Sequence, residues 1–265
     1  MPRRVWEEML VSGLFDAEPR GWWFEEVAPR YGVRVAVSEV ASPCRTARDV
    51  YLRRVAGLQA GDGGGALTVG KLVHEAFMLP FRLGGRYEEA RRELVETLRG
   101  LGLGDEAAGV YMRVLEEGFV RYRVALDEAV PVLVEPKIPG HVLGLANVRP
   151  DLLVGYTPVE IVVAGNNGGW FWRKRLAVAG YALAVEAWTR SPVDYGVVLG
   201  VRIRGGDVGF DWRLVRVDSE LRRMFLERRD MVASIIASGE DPGVAEECPR
   251  SCPFWGVCRG EARGG

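Results

Sequence analysis

The chain has 265 residues, of which 48% are hydrophobic and 27% charged, and its formal net charge is −1 at pH 7. This length can bury a substantial core, in one elaborated domain or two small ones, and the composition is typical of a soluble globular protein. No apolar run reaches the ~18 residues that span a membrane, and the N-terminus lacks a signal-peptide core, so a cytoplasmic protein without membrane contact is expected. The near-zero charge neither demands nor excludes nucleic acid, because binding needs only a local basic face.

Helical patterns fill the first half of the chain. They are predicted near Val5, from Ser42 to about Gly57, from Thr68 onward, and over residues 86–128 with a break around residues 100–104. Ser42 and Thr68 are assigned as helix caps, because a hydroxyl oxygen can accept from first-turn amides, and Pro43 suits a first turn. The glycine-rich residues 61–65 lack the flanking strand and the Lys-Ser/Thr pair of a phosphate loop, so they indicate a flexible link.

Strand patterns dominate the second half. Strands are predicted at residues 132–138, 141–146, 151–154, 159–164, 195–203 and 208–217, and helices at residues 172–188 and from an Asp218 cap to about residue 236. Helices followed by a mixed sheet with packed helices predict an α/β fold of mixed α+β type. We expect one integrated domain with three parts: a helical N-terminal region (1–130), a sheet core (131–238) and a cysteine-rich C-terminal clasp (239–265).

The four cysteines are the first chemical signal. Cys248, Cys252 and Cys258 form a C-x3-C-x5-C cluster near the C-terminus, and Cys44 lies far upstream. Four thiolates suit an iron–sulfur cluster, whereas structural zinc usually has two close C-x2-C pairs, so this spacing favours iron–sulfur. The cluster would fasten the tail to the N-terminal helix that carries Cys44. Zinc is the next alternative and disulfides the last, and unligated thiols fit this cysteine-rich tail poorly.

Two acids flank a predicted hairpin. A four-residue loop is predicted between Val154 and Val159, and pairing of these two valines would place Asp151 opposite Val162. Because strand side chains alternate with a period of two, Asp151 and Glu160 would leave the same face as diagonal neighbours, within reach of one hard cation. Acids on a solvated sheet face are commonplace, but here the flanking strands are strongly apolar. A one-residue slip would separate the acids.

The ordered set of motifs resembles the CRISPR-associated RecB-like exonucleases that carry an iron–sulfur cluster, in the variant of archaeal type I-A systems. The shared motifs lie at residues 21–23, 38–41, 48–54, 70–74, 149–153, 158–161 and 179–184, with Cys44 ahead of His74 and three cysteines at the end. Each motif alone is weak. Their order across about residues 20–260 is quite specific.

The resemblance implies a PD-(D/E)xK nuclease core of the RecB-like kind. His74, Asp151 and Glu160 would then hold Mg²⁺ or Mn²⁺ for phosphodiester cleavage, although a lone helical histidine is more often structural. The four cysteines would bind a structural cluster, with 4Fe-4S favoured and 2Fe-2S the alternative. Relatives of this kind trim DNA during spacer acquisition. Single-stranded DNA ends, the Cas integrase and other adaptation subunits are therefore the expected partners. His141 is assigned no role.

The chain departs from the family pattern at two positions. The family has a lysine two residues after the glutamate, where this chain has Val162, and a glutamine where this chain has Ala177; the following tyrosine is kept as Tyr181. Catalysis is therefore expected to be impaired unless a lysine from another element replaces the missing one. Lys174 is the best candidate, since its helix follows the glutamate strand, and the other lysines of the chain are Lys71 and Lys137. Each of these could equally be a surface charge.

Basic residues beside aromatic ones predict contacts with DNA. Arg173 and Arg175 adjoin the aromatic residues 170–172, and this combination suits a single strand, together with Tyr181. A second basic cluster consists of Arg45, Arg48, Arg53 and Arg54. Arginine is abundant throughout the chain, so charged helix surfaces explain such clusters equally well.

Three hypotheses follow from the sequence. The first is a metal-dependent DNA exonuclease of CRISPR adaptation, with activity that the loss of the motif lysine could impair. The second is a non-catalytic DNA-end-binding or scaffold subunit that keeps the fold. The third is a zinc-stapled binding protein unrelated to nucleases.

Overall fold

A computed structural model describes residues 2–12, 17–59, 64–165, 169–248 and 252–260. Its helices are α1 (Arg3–Ser12), α2 (Phe24–Val27), α3 (Val37–Val40), α4 (Arg48–Arg54), α5 (Gly64–Arg82), α6 (Tyr87–Gly100), α7 (Asp105–Asp127), α8 (Gly169–Thr189), α9 (Ser219–Ser238) and α10 (Trp255–Arg259). Its strands are β1 (Val35–Ala36), β2 (Val132–Val134), β3 (Leu145–Ala146), β4 (Leu152–Val154), β5 (Thr157–Val163), β6 (Tyr195–Arg204) and β7 (Asp207–Arg216), and a 3₁₀ turn spans His141–Leu143.

Within the described residues, the main sheet has five strands in the order β2-β4-β5-β6-β7. Strands β5 and β6 are parallel and α8 connects them, whereas the other neighbours in this sheet are antiparallel. Parallel neighbours need a crossover, and a helix is its usual form. The two-residue strands β1 and β3 pair separately, in parallel.

Side-chain alternation gives the main sheet two differently covered faces. Val159 and Ile161 of β5 belong to a core with α5, α6 and α7, whereas Val198 of β6 belongs to a second core with α8 and α9. Because successive strand side chains point to opposite faces, Glu160 lies on the face covered by α8. The sheet is enclosed between two helical layers, and an acid is buried beneath one of them.

The mixed α/β architecture predicted from the sequence is confirmed. Helices α6 and α7, helix α8, strands β6 and β7, and the Asp218 cap, whose carboxylate accepts from the Leu221 amide at 2.9 Å, lie where the patterns placed them. The predicted link at residues 61–65 falls largely outside the described residues, and its Gly64 begins α5. The division into three parts stays a prediction. No described helix combines the length and hydropathy needed to cross a membrane.

Two predicted strands are much shorter than expected. Strand β2 ends at Val134 because Glu135 has a φ of +44°, which extended strands do not contain. The predicted strand at residues 141–146 is mostly a 3₁₀ turn that ends at Gly144, where φ is +65°, and only β3 remains. His141 is exposed in this turn.

Both predicted serine and threonine caps are wrong. Helix α4 begins at Arg48, not at Ser42, because the Ser42 hydroxyl donates to the Asp49 carboxylate at 2.6 Å and accepts from the Cys44 amide at 3.1 Å. These bonds build a loop over residues 42–47 ahead of the helix. Helix α5 begins at Gly64, so Thr68 lies inside it.

A network of buried charges joins the second half of α8 to α9 and to the N-terminal segment. Arg222 of α9 donates to both carboxylate oxygens of Glu186, at 2.7 and 2.9 Å, and both side chains are fully buried. Arg20 donates to Glu186 at 2.9 Å and to Asp194 at 2.5 Å, and the Gly21 amide also donates to Glu186. Each charge therefore has opposite charges or backbone groups as partners.

We expect Glu186→Ala to lower the free energy of unfolding by about 3–5 kcal/mol, because it removes the carboxylate that both nitrogens of the buried Arg222 guanidinium contact and leaves only Asp194, at 3.8 Å, among the described acids. Chemical denaturation of the whole protein measures this. Glu96→Ala, on the exposed surface of α6, is the control and should change stability by less than about 0.5 kcal/mol. Equal effects of the two substitutions would contradict the assigned role.

Candidate functional site

The β4–β5 hairpin has a tighter turn than the sequence suggested. Strand β4 pairs with β5 as Leu152↔Val159, Leu153↔Pro158 and Val154↔Thr157. Gly155 has a φ of +59°, so two residues suffice to close the turn. The predicted pairing of Val154 with Val159, and of Asp151 with Val162, is therefore wrong by two residues. A shift of two preserves the face on which each side chain lies.

Asp151 and Glu160 accordingly lie side by side. Asp151 directly precedes β4, and its Oδ2 accepts a hydrogen bond from the Ile161 amide at 2.5 Å. Burial raises the pKa of Glu160 above its ordinary value, and the nearby charge of Asp151 raises it further. The two carboxylates are thus close enough for each to oppose the ionisation of the other.

His74 reaches the same acids from α5. Its Nε2 lies 2.7 Å from Asp151 Oδ1. Burial by itself would lower the pKa of His74, but the hydrogen bond and charge of Asp151, with the charges of Glu160 and Glu135, outweigh it and raise the pKa above its ordinary value. The imidazole therefore contacts Asp151 from the helix opposite α8 and feels the charge of Glu160.

Lys174 approaches from α8 and its ammonium contacts Glu160 Oε1. Burial would lower the pKa of Lys174, but the charge and hydrogen bond of Glu160 raise it overall. Val162 shares the sheet face of Glu160, two residues along the same strand, and it packs against the core of α8. The cation beside the buried acid thus comes from a helix and not from the strand.

Tyr181 completes the α8 side of this cluster. It lies seven residues after Lys174, on the same side of the helix. Burial raises the pKa of Tyr181 well above its ordinary value, and the carboxylates of Glu160 and Asp151 act in the same direction. Its hydroxyl therefore stays protonated. Ala177, between these two residues, is buried in the core.

The other basic residues singled out in the sequence lie elsewhere. Lys71 and Lys137 are exposed, so Lys174 alone among the three lysines of the chain reaches Glu160. Arg53 and Arg54 form ion pairs with Asp49 and Glu39, and Arg48 pairs with Asp241. The predicted basic cluster at residues 45–54 is therefore largely engaged within the protein.

The four cysteines form a second cluster. Cys252 packs with Leu52 of α4 and Phe254, and Cys248 and Cys258 border the same small core. All four thiols are free of disulfides. Burial, together with the neighbouring thiols of Cys252, Cys44 and Cys258, raises the pKa of the Cys248 thiol to about 11. The sulfur atoms are therefore close enough to influence the ionisation of one another.

Two arginines that the sequence did not assign to this cluster surround it. Arg48 Nη1 donates to Cys258 Sγ at 3.4 Å while its Nη2 donates to Asp241 at 2.7 Å. Arg228 of α9 donates to the carbonyl oxygens of Val40, at 2.7 Å, and Ser42, at 3.2 Å, and to that of Cys44. The sequence carried no signal that distinguishes these arginines from surface ones.

Both clusters contain the chemical groups that a metal centre requires. Glu160 Oε2 is buried and has no hydrogen-bond partner among the described residues, and imidazole and carboxylate oxygens are ligands for hard divalent cations. Four free thiols suit iron–sulfur ligation. No three His, Cys, Asp or Glu side chains of the described ranges already stand in an arrangement that would hold a metal ion. Binding at either cluster would therefore require side chains to turn.

Comparison with known proteins places the chain in a family. The sequence model of the family CRISPR-associated exonuclease Csa1 matches residues 7–124 and 116–262. The chain belongs to this family. The matched ranges include both side-chain clusters described above, and they confirm the family resemblance that the ordered motifs predicted.

Two relatives match along most of their length. A protein named CRISPR-associated exonuclease Csa1 from Saccharolobus solfataricus is 31% identical over 273 residues, which cover 92% of this chain and 92% of the relative. A protein of the same name from Thermoproteus tenax is 28% identical over 271 residues, covering 94% of each chain. No solved structure matches the chain.

The first turn of α8 is anchored against the sheet one turn before Lys174. The ring of buried Trp170 lies over Gly200 of β6, where an added Cβ would stand 2.4 Å from the indole. Arg213 of β7 packs on Trp170 and Phe171, with its guanidinium 5.0 and 4.9 Å from the ring centres. Trp170 and Lys174 are four residues apart on one helix face, so the anchor orients the lysine.

Gly200→Ala is expected to lower the free energy of unfolding by roughly 1–3 kcal/mol, because the new methyl group collides with the Trp170 ring. The matched control is Gly209→Ala on β7, where the nearest atom to an added Cβ is 3.9 Å away. Thermal and chemical denaturation compare the two. Indistinguishable losses would show that Trp170 does not anchor α8 in this way.

Proposed function

We propose that this member of the family is a metal-dependent DNA exonuclease that acts in CRISPR adaptation, in the cytoplasm. The observation that supports the proposal most is the convergence of His74 and Lys174, from two helices, on the adjacent carboxylates of Asp151 and Glu160. A PD-(D/E)xK nuclease core of the RecB-like kind requires two acids and a lysine together. Here the lysine comes from α8. The relatives that match along their length are named exonucleases.

His74, Asp151 and Glu160 would hold the divalent cation, Mg²⁺ or Mn²⁺. Such a cation, when bound, supplies activation of water and neutralisation of charge on the phosphate. The buried carboxylate pair favours binding of positive charge, because two close carboxylates repel each other without it.

Lys174 replaces the lysine that the family carries at the position of Val162. Its raised pKa keeps the ammonium protonated, so it can donate a hydrogen bond to the attacking water and stabilise negative charge on the phosphate in the transition state. The protonated hydroxyl of Tyr181 can donate in the same region. This assignment argues for a working enzyme in place of an impaired one.

The test is a Mn²⁺-dependent assay of single-stranded DNA cleavage. We expect Asp151→Asn and Glu160→Gln to abolish cleavage, and Lys174→Ala to slow it roughly 10²- to 10³-fold, as for removal of one transition-state donor. Lys71→Ala and Lys137→Ala are matched controls, because these lysines are exposed and away from the acids. They should cleave at the rate of the unsubstituted protein.

Two outcomes would reject parts of this proposal. Cleavage that persists in both acid variants would come from a contaminating nuclease. DNA binding without cleavage by the unsubstituted protein, with Mn²⁺ or Mg²⁺ present, would favour the alternative of a non-catalytic DNA-end-binding or scaffold subunit. This alternative is tested because Val162 and Ala177 stand where the family pattern has a lysine and a glutamine.

The four cysteines are proposed to bind an iron–sulfur cluster, 4Fe-4S or 2Fe-2S, with a structural role. Cys44 lies in the loop before α4, and the other three lie in the C-terminal segment, so a shared cluster would fasten that segment to α4. Arg48 and Arg228 supply positive charge beside the thiolates. DNA ends, the Cas integrase and other adaptation subunits are the proposed partners.

Anaerobically purified protein is expected to be brown and to contain iron and acid-labile sulfide. Each of Cys44→Ser, Cys248→Ser, Cys252→Ser and Cys258→Ser should lower the iron content, because a cluster of this kind needs four thiolates. Metal analysis and visible absorption measure both. A colourless protein that contains zinc, and loses it in the same variants, would replace the iron–sulfur assignment with a zinc site.

A further inference from the structure

A groove on the side of α8 that faces α9 is built from three elements. It lies between the Cys44 loop, the first turns of α8 and the start of α9, with a volume of about 280 Å³. Its lining includes Pro43, Arg45, Trp172, Arg173, Leu176 and Met224. We call it the Trp172 groove.

The charged side chains that line the Trp172 groove are all arginines, so its charge is positive. Arg173 is exposed and forms no hydrogen bond or ion pair with any described residue, and the side chain of Arg45 is 79% exposed with only a 3.7 Å contact to exposed Glu247. No acidic side chain of the described residues lines this groove. The larger cavity between α9 and residues 19–31 is different, because Glu26, Glu227 and Asp230 line it with its arginines. Of these two cavities, the Trp172 groove is the one whose lining favours an anion.

The groove also presents an aromatic ring. Trp172 is 57% exposed, and the guanidinium of Arg175 lies 4.7 Å from its ring centre. The two preceding aromatic residues are unavailable, because Arg213 packs on both of them and Trp170 is buried. The Trp172 ring, packed against Arg175, can stack on a nucleobase, and the nearby guanidinium groups can bind the adjacent phosphates.

We infer that the Trp172 groove binds a single-stranded nucleic acid, with one base stacked on Trp172 and the adjacent phosphates at Arg45 and Arg173. This inference rests on the proposed nuclease function, because Trp172 and Arg173 directly precede Lys174 on α8. Pro43 and Arg45 line the groove, so the Cys44 loop is a wall of the binding site. A duplex keeps its base faces stacked inside and cannot use the ring.

Fluorescence anisotropy with a labelled oligothymidylate in EDTA measures this binding without cleavage. Trp172→Ala should weaken binding roughly 5- to 150-fold, which is the usual effect of losing one stacked base, whereas Trp172→Phe should retain most of it. The matched control is Trp188→Ala, since this residue is 50% exposed on the same helix but does not line the groove.

Salt dependence tests the phosphate contacts. Arg173→Ala and Arg45→Ala should each reduce the slope of log affinity against log salt by about 0.7, the value for one phosphate contact on a single strand. Arg99→Ala on the exposed face of α6 is the control and should leave the slope unchanged. Circular dichroism of each variant establishes that it is folded.

Binding by Trp172→Ala and Arg173→Ala equal to that of the controls would overturn the inference. Binding of polyglutamate as tight as that of the oligonucleotide, and equally sensitive to Trp172→Ala, would overturn it in favour of an acidic peptide. Failure of the nuclease proposal is distinguishable. Cleavage that requires Asp151 while groove variants bind normally rejects only the groove, and absent cleavage with weakened binding in Trp172→Ala rejects only the nuclease.

Discussion

The buried pairing of Glu186 with Arg222 is the constraint on which the remaining architecture depends. Placing both charges in the interior costs several kcal/mol in lost hydration, and the arrangement is favourable only while their hydrogen bonds stay intact. The pairing therefore permits one position of α8 on α9. Gly180 reinforces it, because an added Cβ there would lie 2.4 Å from the Phe225 ring. The helices can approach this closely only with glycine at that position.

The first half of α8 supplies the positive charge that a second buried carboxylate needs. Glu160 is buried beneath the helix, and a buried carboxylate needs a cation or a proton. The cation must lie near Glu160, but the element of the chain that carries it does not matter. A lysine on the strand at Val162 or on the helix at Lys174 would meet it equally. Since Glu186 and Arg222 fix one end of α8 and Trp170 the other, the helix is rigid enough to place an ammonium where a strand otherwise would.

The sequence predicted which residues of the site share a sheet face, because that property depends only on the alternation of side chains along a strand. The alternation of strand side chains placed Asp151 and Glu160 on one face, and that result survived a register error of two residues because the period is two. The error itself came from the turn, since loop length depends on the positive φ of Gly155, which has no periodic signal. Ser42 failed as a cap for a similar reason. Its hydroxyl bonds Asp49, seven residues further along the chain, which lies beyond the three-residue reach of a helix cap.

The arginines show most clearly what a sequence cannot convey. Arg222 is fully buried, Arg48 donates to a cysteine sulfur and Arg173 has no partner among the described residues, yet all three occur in similar helical surroundings. The net charge is near zero because 35 lysines and arginines are balanced by 36 aspartates and glutamates, and some of these cations meet carboxylates inside the protein, as Arg222 meets Glu186. Charge that is matched internally is not available to a ligand. Guanidinium groups without a carboxylate partner in the described parts of the chain, such as that of Arg173 in the Trp172 groove, can therefore attract a polyanion although the chain as a whole is almost neutral.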